Sequence, residues 1–255
     1  MKKLLKSVSL ACIILAAQNS CADSIFRGMR GPTEWQGDVR VGISERENSK
    51  GKTRSIVSNN ILKYWDGDRV GKFGYLAVPF KHIDTGNSHN SGLGDISFGV
   101  GPRLRYTNSF GEIQILSHVG LVAPTGDSDN KPSLGNDRFD FKSGFGLTYL
   151  TPGKKGEIDC ALDYTMVNQE DISDDLSFGL LGVSKLGKNM RFGTGVIGNY
   201  KIGGKSDGDY LLTSRTALRH IFSKKLHAEI WGDIDIAKKN LPSGFGITAM
   251  VRYNF

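Results

Sequence analysis

The five histidines are the first candidates for catalysis, because imidazole is a common general base and a frequent metal ligand. None of them has a neighbouring serine or carboxylate in a pattern typical of a hydrolase; they are His82, His89, His118, His220 and His227. The segment from Asp127 to Asn130 resembles the start of a calcium loop but lacks its following glycine and distal glutamate. We therefore predict no catalytic residue, no metal site and no cofactor, and we expect the chain not to be an enzyme.

Charged side chains recur at every second position of several segments, where they could act on a passing solute. We predict that they line one lumen; the set is Arg103, Arg105, Glu112, His118, Asp140, Lys142, Asp159, Asp163, Arg191, Arg215, Arg219, Glu229, Asp233 and Arg252. Two interpretations stay open. The charges select a solute in a polar pore, or they form cross-strand ion pairs that fill and stiffen the lumen. Arg105 and Glu112 flank one short turn, so we expect them to pair across it.

The elements that must position these side chains are β-strands, because apolar and polar residues alternate with period two from Trp35 to the end. Between residues 94 and 106, for example, an apolar row that includes Phe98 and Leu104 opposes a polar row that includes Arg103. We find twelve strands, with approximate spans 34–46, 53–65, 69–81, 94–107, 111–123, 137–150, 156–168, 175–186, 189–202, 209–222, 225–237 and 245–255. The predicted fold is an all-β, antiparallel, up-and-down transmembrane β-barrel.

The connections between these strands give a second argument for a barrel. Short turns alternate with longer polar loops, which we place at 47–52, 81–93, 124–136, 168–174, 203–209 and 238–244. Outer-membrane barrels have short periplasmic turns and longer outer loops. Lipid offers no partner for backbone N–H and C=O groups, so a spanning sheet has to close on itself.

The first residues resemble an export signal. Lys2, Lys3 and Lys6 precede an apolar stretch at 7–17 that is too short to span a membrane as a helix. Small residues lead up to Ala22, after which we place the cleavage site. The predicted organisation is therefore a cleaved signal peptide at 1–22, a short periplasmic segment at 23–33 and the barrel at 34–255, in the bacterial outer membrane.

The charge of the chain does not indicate a nucleic-acid partner. The formal net charge is +7, and removing the three lysines of the signal leaves +4. No basic block interleaved with aromatic residues follows. We expect no nucleic acid among the partners.

The chain ends on an aromatic residue, Phe255, with Tyr253 and Val251 before it at alternate positions. This ending resembles the last strand of outer-membrane porins, whose final aromatic residue is recognised by the barrel-assembly machinery. The partners that we expect are therefore outer-membrane lipids, the assembly machinery and a small-molecule solute. The oligomeric state stays open.

Three segments carry a family resemblance. A Gly-Leu-Gly-Asp strand start at 92–95, a Pro-Thr-Gly loop at 124–126 and a Leu-Gly-Asn strand entry at 134–136 occur in this order. They resemble the outer-membrane family labelled as the MetA-pathway of phenol degradation. The resemblance is strong over residues 90 to 150 and rests on architecture elsewhere. It implies uptake of aromatic or other small hydrophobic compounds.

Two functions follow as hypotheses. The first is an outer-membrane channel or transporter for small, aromatic or hydrophobic solutes. The second is a barrel without transport, either a structural or adhesive surface protein or a lipid-modifying enzyme.

Overall fold

A computed structural model describes residues 34–48, 51–169 and 171–255. Its strands are β1 (Glu34–Asn48), β2 (Gly51–Trp65), β3 (Val70–Asp84), β4 (His89–Leu93), β5 (Ile96–Asn108), β6 (Gly111–Ala123), β7 (Asp140–Leu150), β8 (Gly156–Val167), β9 (Asp174–Lys185), β10 (Met190–Ile202), β11 (Tyr210–Ile221), β12 (Leu226–Lys239) and β13 (Ser243–Asn254). The signal peptide, the cleavage site after Ala22 and the segment 23–33 lie outside the described residues. Among the described residues, no helix has the length and apolarity that crossing a membrane requires.

The sheet is antiparallel and closes on itself. Each strand pairs with its neighbours in sequence, and β1 pairs with both β2 and β13. β4 and β5 lie end to end along the same edge of β3, so together they form one of the barrel's twelve spanning strands. Closure satisfies backbone groups around the whole circumference without an exposed edge. The predicted twelve-stranded up-and-down barrel is confirmed.

The strands are longer at the outer end than the sequence indicated. β3 continues to Asp84, and β4 occupies residues that we expected in a loop at 81–93. β1 likewise ends only at Asn48, and β2 begins already at Gly51. The predicted loops at 47–52 and 81–93 are therefore wrong in extent. The outward side chains at these ends are polar, among them Glu45, Arg54 and His82, so the ends lack the apolar alternation that marks the membrane-spanning part. The strict alternation of loop lengths therefore holds only in part of the chain.

The two faces of the wall differ as the alternation predicts. Outward side chains such as Val100, Ile247 and Phe145 are exposed and apolar, while the inward Arg103 and Arg252 are each 1% exposed. An exposed apolar band around a closed sheet is the surface that acyl chains cover in an outer-membrane barrel. Contact of this apolar surface with water would be unfavourable, and soluble monomers rarely expose large contiguous apolar patches.

Candidate functional site: the lumen, its cover and the wall

A buried ion network occupies the lumen where β13, β1 and β2 meet. The Asp38 carboxylate accepts two hydrogen bonds from the Arg252 guanidinium, at 2.7 and 2.9 Å. Lys63 Nζ lies 3.0 Å from the same carboxylate, and Arg40 Nη2 lies 2.8 Å from it. One anion is thus surrounded by three cations, all of them buried. Buried charges persist only when paired and hydrogen-bonded, so this network holds the closure of the barrel in one register.

A second network joins wall strands that are not neighbours. Arg219 on β11 donates to Glu229 on β12 at 2.6 Å. It also donates to Glu157 on β8 at 3.5 Å, although β9 and β10 lie between β8 and β11 in the sheet. The contact therefore crosses the inside of the barrel. It ties together two parts of the wall that are three strands apart and narrows the lumen at this height.

The other predicted lining residues also face the interior. Arg105 and Glu112 form the pair expected across their turn, with Nε–Oε1 at 3.0 Å. Arg215 pairs with Asp233 at 2.7 Å. Arg103 donates to the turn carbonyls at 66 and 67 and lies over the Trp65 ring. The remaining residues of the set contact the wall as well: Arg191 donates to the Lys154 carbonyl, Asp159 accepts from Thr148, Asp140 pairs with Arg138, and Lys142 is partly buried.

His118 and Asp163 meet across a glycine. They flank Gly144 in register, with His118 on β6 and Asp163 on β8. The imidazole Nε2 lies 3.8 Å from the carboxylate Oδ1. A Cβ at Gly144 would overlap both side chains. The glycine therefore provides the space in which a histidine and a carboxylate two strands apart approach each other inside the lumen.

An apolar cluster also faces the lumen, and the sequence analysis did not find it. Its members are Ile61, Trp65, Phe73, Tyr75, Ala77, Leu116 and Ala161, which come from β2, β3, β6 and β8. β3 is apolar on both faces, so alternation gave no signal for which side its aromatic residues take. The lumen wall is thus divided, with an apolar patch centred on β2, β3 and β6 and ion pairs concentrated on β11 to β13 and β1.

The outer loop between β6 and β7 folds back onto the wall. Asp95, at the break between β4 and β5, accepts backbone hydrogen bonds from Gly126 at 3.0 Å and Asn136 at 2.8 Å. Thr125 Oγ1 accepts from the backbone of Ile96 at 2.9 Å and donates to the Gly94 carbonyl at 2.9 Å. The three sequence motifs that carry the family resemblance therefore converge here. We call this arrangement the Asp95 clamp.

The clamp places a loop residue inside the protein. Leu134 is 1% exposed and packs against Ile83 on β3. Lys81 Nζ, also buried, donates to the Leu134 carbonyl at 3.0 Å. Gly126 and Gly135 are in such close contact that a Cβ on either would overlap the other's backbone. The loop is therefore packed against the wall. Glycines allow the close backbone contact, and the aspartate accepts the hydrogen bonds of the loop, which explains the residue types of the motifs.

The outer face of the wall carries a hollow of about 400 Å³ between β5 and β8. Large side chains, among them Phe145 and Leu162, surround a floor of Gly101, Ser117 and Gly144. Pairing between β5 and β6 skips two positions here and resumes in the same register, because Pro102 has no N–H to donate. A thin patch of wall with little side-chain cover results, directly outside His118 and Asp163.

The last strand presents Val251, Tyr253 and Phe255 outward, all exposed, and the Phe255 N–H donates to the Trp35 carbonyl at 3.0 Å. Their recognition by the assembly machinery stays a prediction. Within the described ranges, no cluster of three or more histidine, cysteine or carboxylate side chains is arranged to hold a metal ion.

Comparison with known proteins gives the following results. The profile of the family described as "Putative MetA-pathway of phenol degradation" matches residues 32–252. The COG4313 outer membrane channel from Pseudomonas putida F1 superposes with a TM-score of 0.70 at 18% identity, covering 89% of this chain and 97% of that one. The translocator domain of the autotransporter NalP from Neisseria meningitidis gives a TM-score of 0.58 at 11% identity, covering 98% and 99%. The NanC porin gives 0.52 at 11% identity, covering 86% and 100%. At these identities the likeness shows the fold alone. No curated protein matches the chain by sequence.

Proposed function

Because the chain belongs to the family described as "Putative MetA-pathway of phenol degradation", we propose that it is an outer-membrane channel for small hydrophobic solutes, aromatic compounds included. Its closed barrel and exposed apolar band suit the outer membrane. The predicted export signal agrees with that location. A channel of this kind moves its solute without changing it chemically.

The observation that carries the proposal is the apolar patch on the lumen wall. Aromatic and aliphatic side chains on the inner face offer an apolar contact surface that a charged lining does not. Here Trp65, Phe73 and Tyr75 pack together with Leu116 on one side of the interior, each at most 5% exposed, so a solute reaches them by parting these side chains. Binding sites for small apolar molecules are lined mostly by such side chains, with a few polar groups to orient the ligand. The buried His118 and Asp163 beside this patch supply polar groups of that kind.

The charged lining has a different role in this proposal. Six of its members pair with each other at hydrogen-bond distance, and most of the others bond neighbouring wall residues, so they hold the wall rather than contact a solute. Arg219 and Arg252, for example, are each paired with a carboxylate on a neighbouring strand. We propose that the predicted lining residues other than His118 and Asp163 set the width and rigidity of the passage. Solute contacts then fall to the apolar patch and to these two polar groups.

Two further features fit transport of an apolar molecule. The loop held by the Asp95 clamp covers the outer end near Leu134, and the wall hollow offers an apolar surface on the lipid side. NanC is by name a porin and the Pseudomonas protein by name a channel, and this chain shares their fold. In the cell we propose that Val251, Tyr253 and Phe255 engage the assembly machinery. The short turns then face the periplasm.

The proposal is tested by solute flux. Vesicles with lipopolysaccharide in the outer leaflet are prepared with and without the purified protein, and uptake of toluene is followed against uptake of benzoate and glucose. We expect the protein to accelerate toluene uptake in a saturable way and to affect benzoate and glucose little. Equal toluene uptake with and without protein contradicts a channel. Release of fatty acid from the vesicle lipids would instead indicate a lipid-modifying enzyme.

A further inference from the structure

Three neighbouring short turns of the barrel each carry a pair of lysines. Lys154 and Lys155 precede β8, Lys185 and Lys188 flank the turn between β9 and β10, and Lys224 and Lys225 precede β12. We call these six residues the basic arc. The turns that carry them, at 151–155, 185–189 and 222–225, contain no aspartate or glutamate. Positive charge is therefore concentrated on one sector of the rim.

Backbone hydrogen bonds fix the turns relative to one another. The Lys185 N–H donates to the Lys155 carbonyl at 2.8 Å, and the Ile221 N–H donates to the Asn189 carbonyl at 2.8 Å. At the end of the sector, the Asn254 N–H donates to the Lys225 carbonyl at 2.9 Å. Adjacent strands lie about 4.8 Å apart, so successive turns lie roughly 10 Å apart along the rim. The arc is thus a regular row of cations on a rigid edge.

Two of these lysines have a carboxylate in their surroundings, Glu112 near Lys154 and Glu34 near Lys225, but neither carboxylate is at salt-bridge distance. None of the six forms a salt bridge with a described residue, whereas Lys63, Lys201 and Lys205 each pair with an aspartate. Like charges held close together on a surface repel one another unless counter-charges approach. The arrangement therefore favours an anionic partner from outside the chain.

Apolar side chains in the same turns indicate what that partner is. Leu186 is 67% exposed and Phe222 is 60% exposed, and each lies next to a lysine of the arc. A row of lysines beside exposed apolar side chains suits the boundary between acyl chains and headgroups. A soluble anion would match the charges but would leave these apolar side chains in water.

We propose that the basic arc binds the headgroups of anionic phospholipid in the leaflet that the short turns meet. The inference rests on the membrane placement proposed above. Lysine ammonium groups contact the phosphates, while Leu186 and Phe222 insert among the acyl chains. The protein would thereby collect a shell of anionic lipid on one sector and hold its rim at a fixed depth.

The test is native mass spectrometry of the full chain in detergent micelles that contain equal amounts of phosphatidylglycerol and phosphatidylethanolamine. We expect wild type to retain phosphatidylglycerol preferentially. The double variant Lys224→Gln/Lys225→Gln should lower that preference by up to about fivefold per lysine, because each lysine near an anionic surface contributes on that order. The preference should also weaken in 0.5 M salt, since salt screens exposed charges.

A matched control removes two lysines of the opposite end, Lys52→Gln/Lys205→Gln, and should leave the preference unchanged. An equal loss in this control overturns the proposal, as does an unchanged ratio in the arc variant or no preference in wild type. Circular dichroism confirms that each variant is folded. Toluene flux is measured on the same protein preparations after reconstitution into vesicles. A lipid preference in wild type without any flux would overturn the proposed channel and leave the arc standing.

Discussion

The Asp95 clamp makes a quantitative prediction about the outer loop. The Asp95 carboxylate accepts one backbone hydrogen bond with each oxygen, from Gly126 and from Asn136. In Asp95→Asn one of the two carboxylate oxygens is replaced by an amide NH2 group. This group faces a backbone N–H and cannot accept its hydrogen bond. One hydrogen bond to a charged group is lost, and such bonds contribute about 1.5–3 kcal/mol.

A loss of about 2 kcal/mol corresponds to roughly a 30-fold rise in the fraction of molecules with the loop released. Hydrogen exchange measures this fraction, because amides that open locally exchange in proportion to their open population. We expect peptides that span residues 124–139 to exchange about 30-fold faster in Asp95→Asn. Peptides from β10 should not change, since the clamp does not contact that strand.

Asp137→Asn is the matched control, because it makes the same chemical change in the same loop. Asp137 is exposed, and its backbone has a φ of 53°, a conformation that asparagine tolerates. The control should exchange like wild type. Unchanged exchange in Asp95→Asn, or equal acceleration in both variants, would refute the assignment of Asp95 as the residue that holds the loop.

Three further predictions concern charge and packing. Hydrogen bonds from a neighbouring asparagine hold the pKa of Asp127 below its usual value, so its contribution to loop order is present above about pH 4 and lost as pH falls through the lowered pKa. Measured relative to an unfolded reference peptide, which corrects for the pH dependence of pepsin itself, pepsin should cut the loop faster at about pH 2.5 than at about pH 5, and Asp127→Asn should reduce that difference. Asp38→Asn leaves three buried cations without their carboxylate and should lower the free energy of unfolding by about 3–5 kcal/mol in denaturant titrations. Asp171→Asn, at an exposed ion pair, should lower it by less than about 1 kcal/mol. Gly144→Ala should destabilise by about 1–3 kcal/mol through overlap with its neighbours, while Gly187→Ala, with open space around its Cβ position, should change the unfolding midpoint little.

The sequence predicted the barrel because one physical constraint repeats along the whole chain. Every spanning strand has one face toward lipid, so the residues around Phe98 or Ile247 alternate with polar ones and the strand count follows. The alternation fails where the constraint is absent. Beyond the apolar band, at Asp84 and His89, the outward side chains are polar, and the strands there were taken for loops.

The interior was harder to predict because its contacts join residues that are distant in sequence. Alternation placed Arg219 on the inner face, but it gave no indication that this residue meets Glu157, three strands away, inside the barrel. Alternation also missed Trp65 and Phe73, because the pattern assigns apolar residues to the lipid face whereas these two lie on the inner face. The Asp95 clamp was visible as three short motifs, yet only the fold shows that they bind one another.

The apolar patch on the lumen wall is tested most directly by one polar substitution in it. Leu116→Asn places an amide in the patch, while Ile197→Asn makes a comparable change at a buried inward residue of β10 outside it. The rate of toluene uptake into lipopolysaccharide-coated vesicles is compared for the two folded variants and wild type. The account predicts a marked slowing for Leu116→Asn alone. Equal rates in all three proteins, or equal slowing in both variants, would contradict the claim that this patch carries the solute.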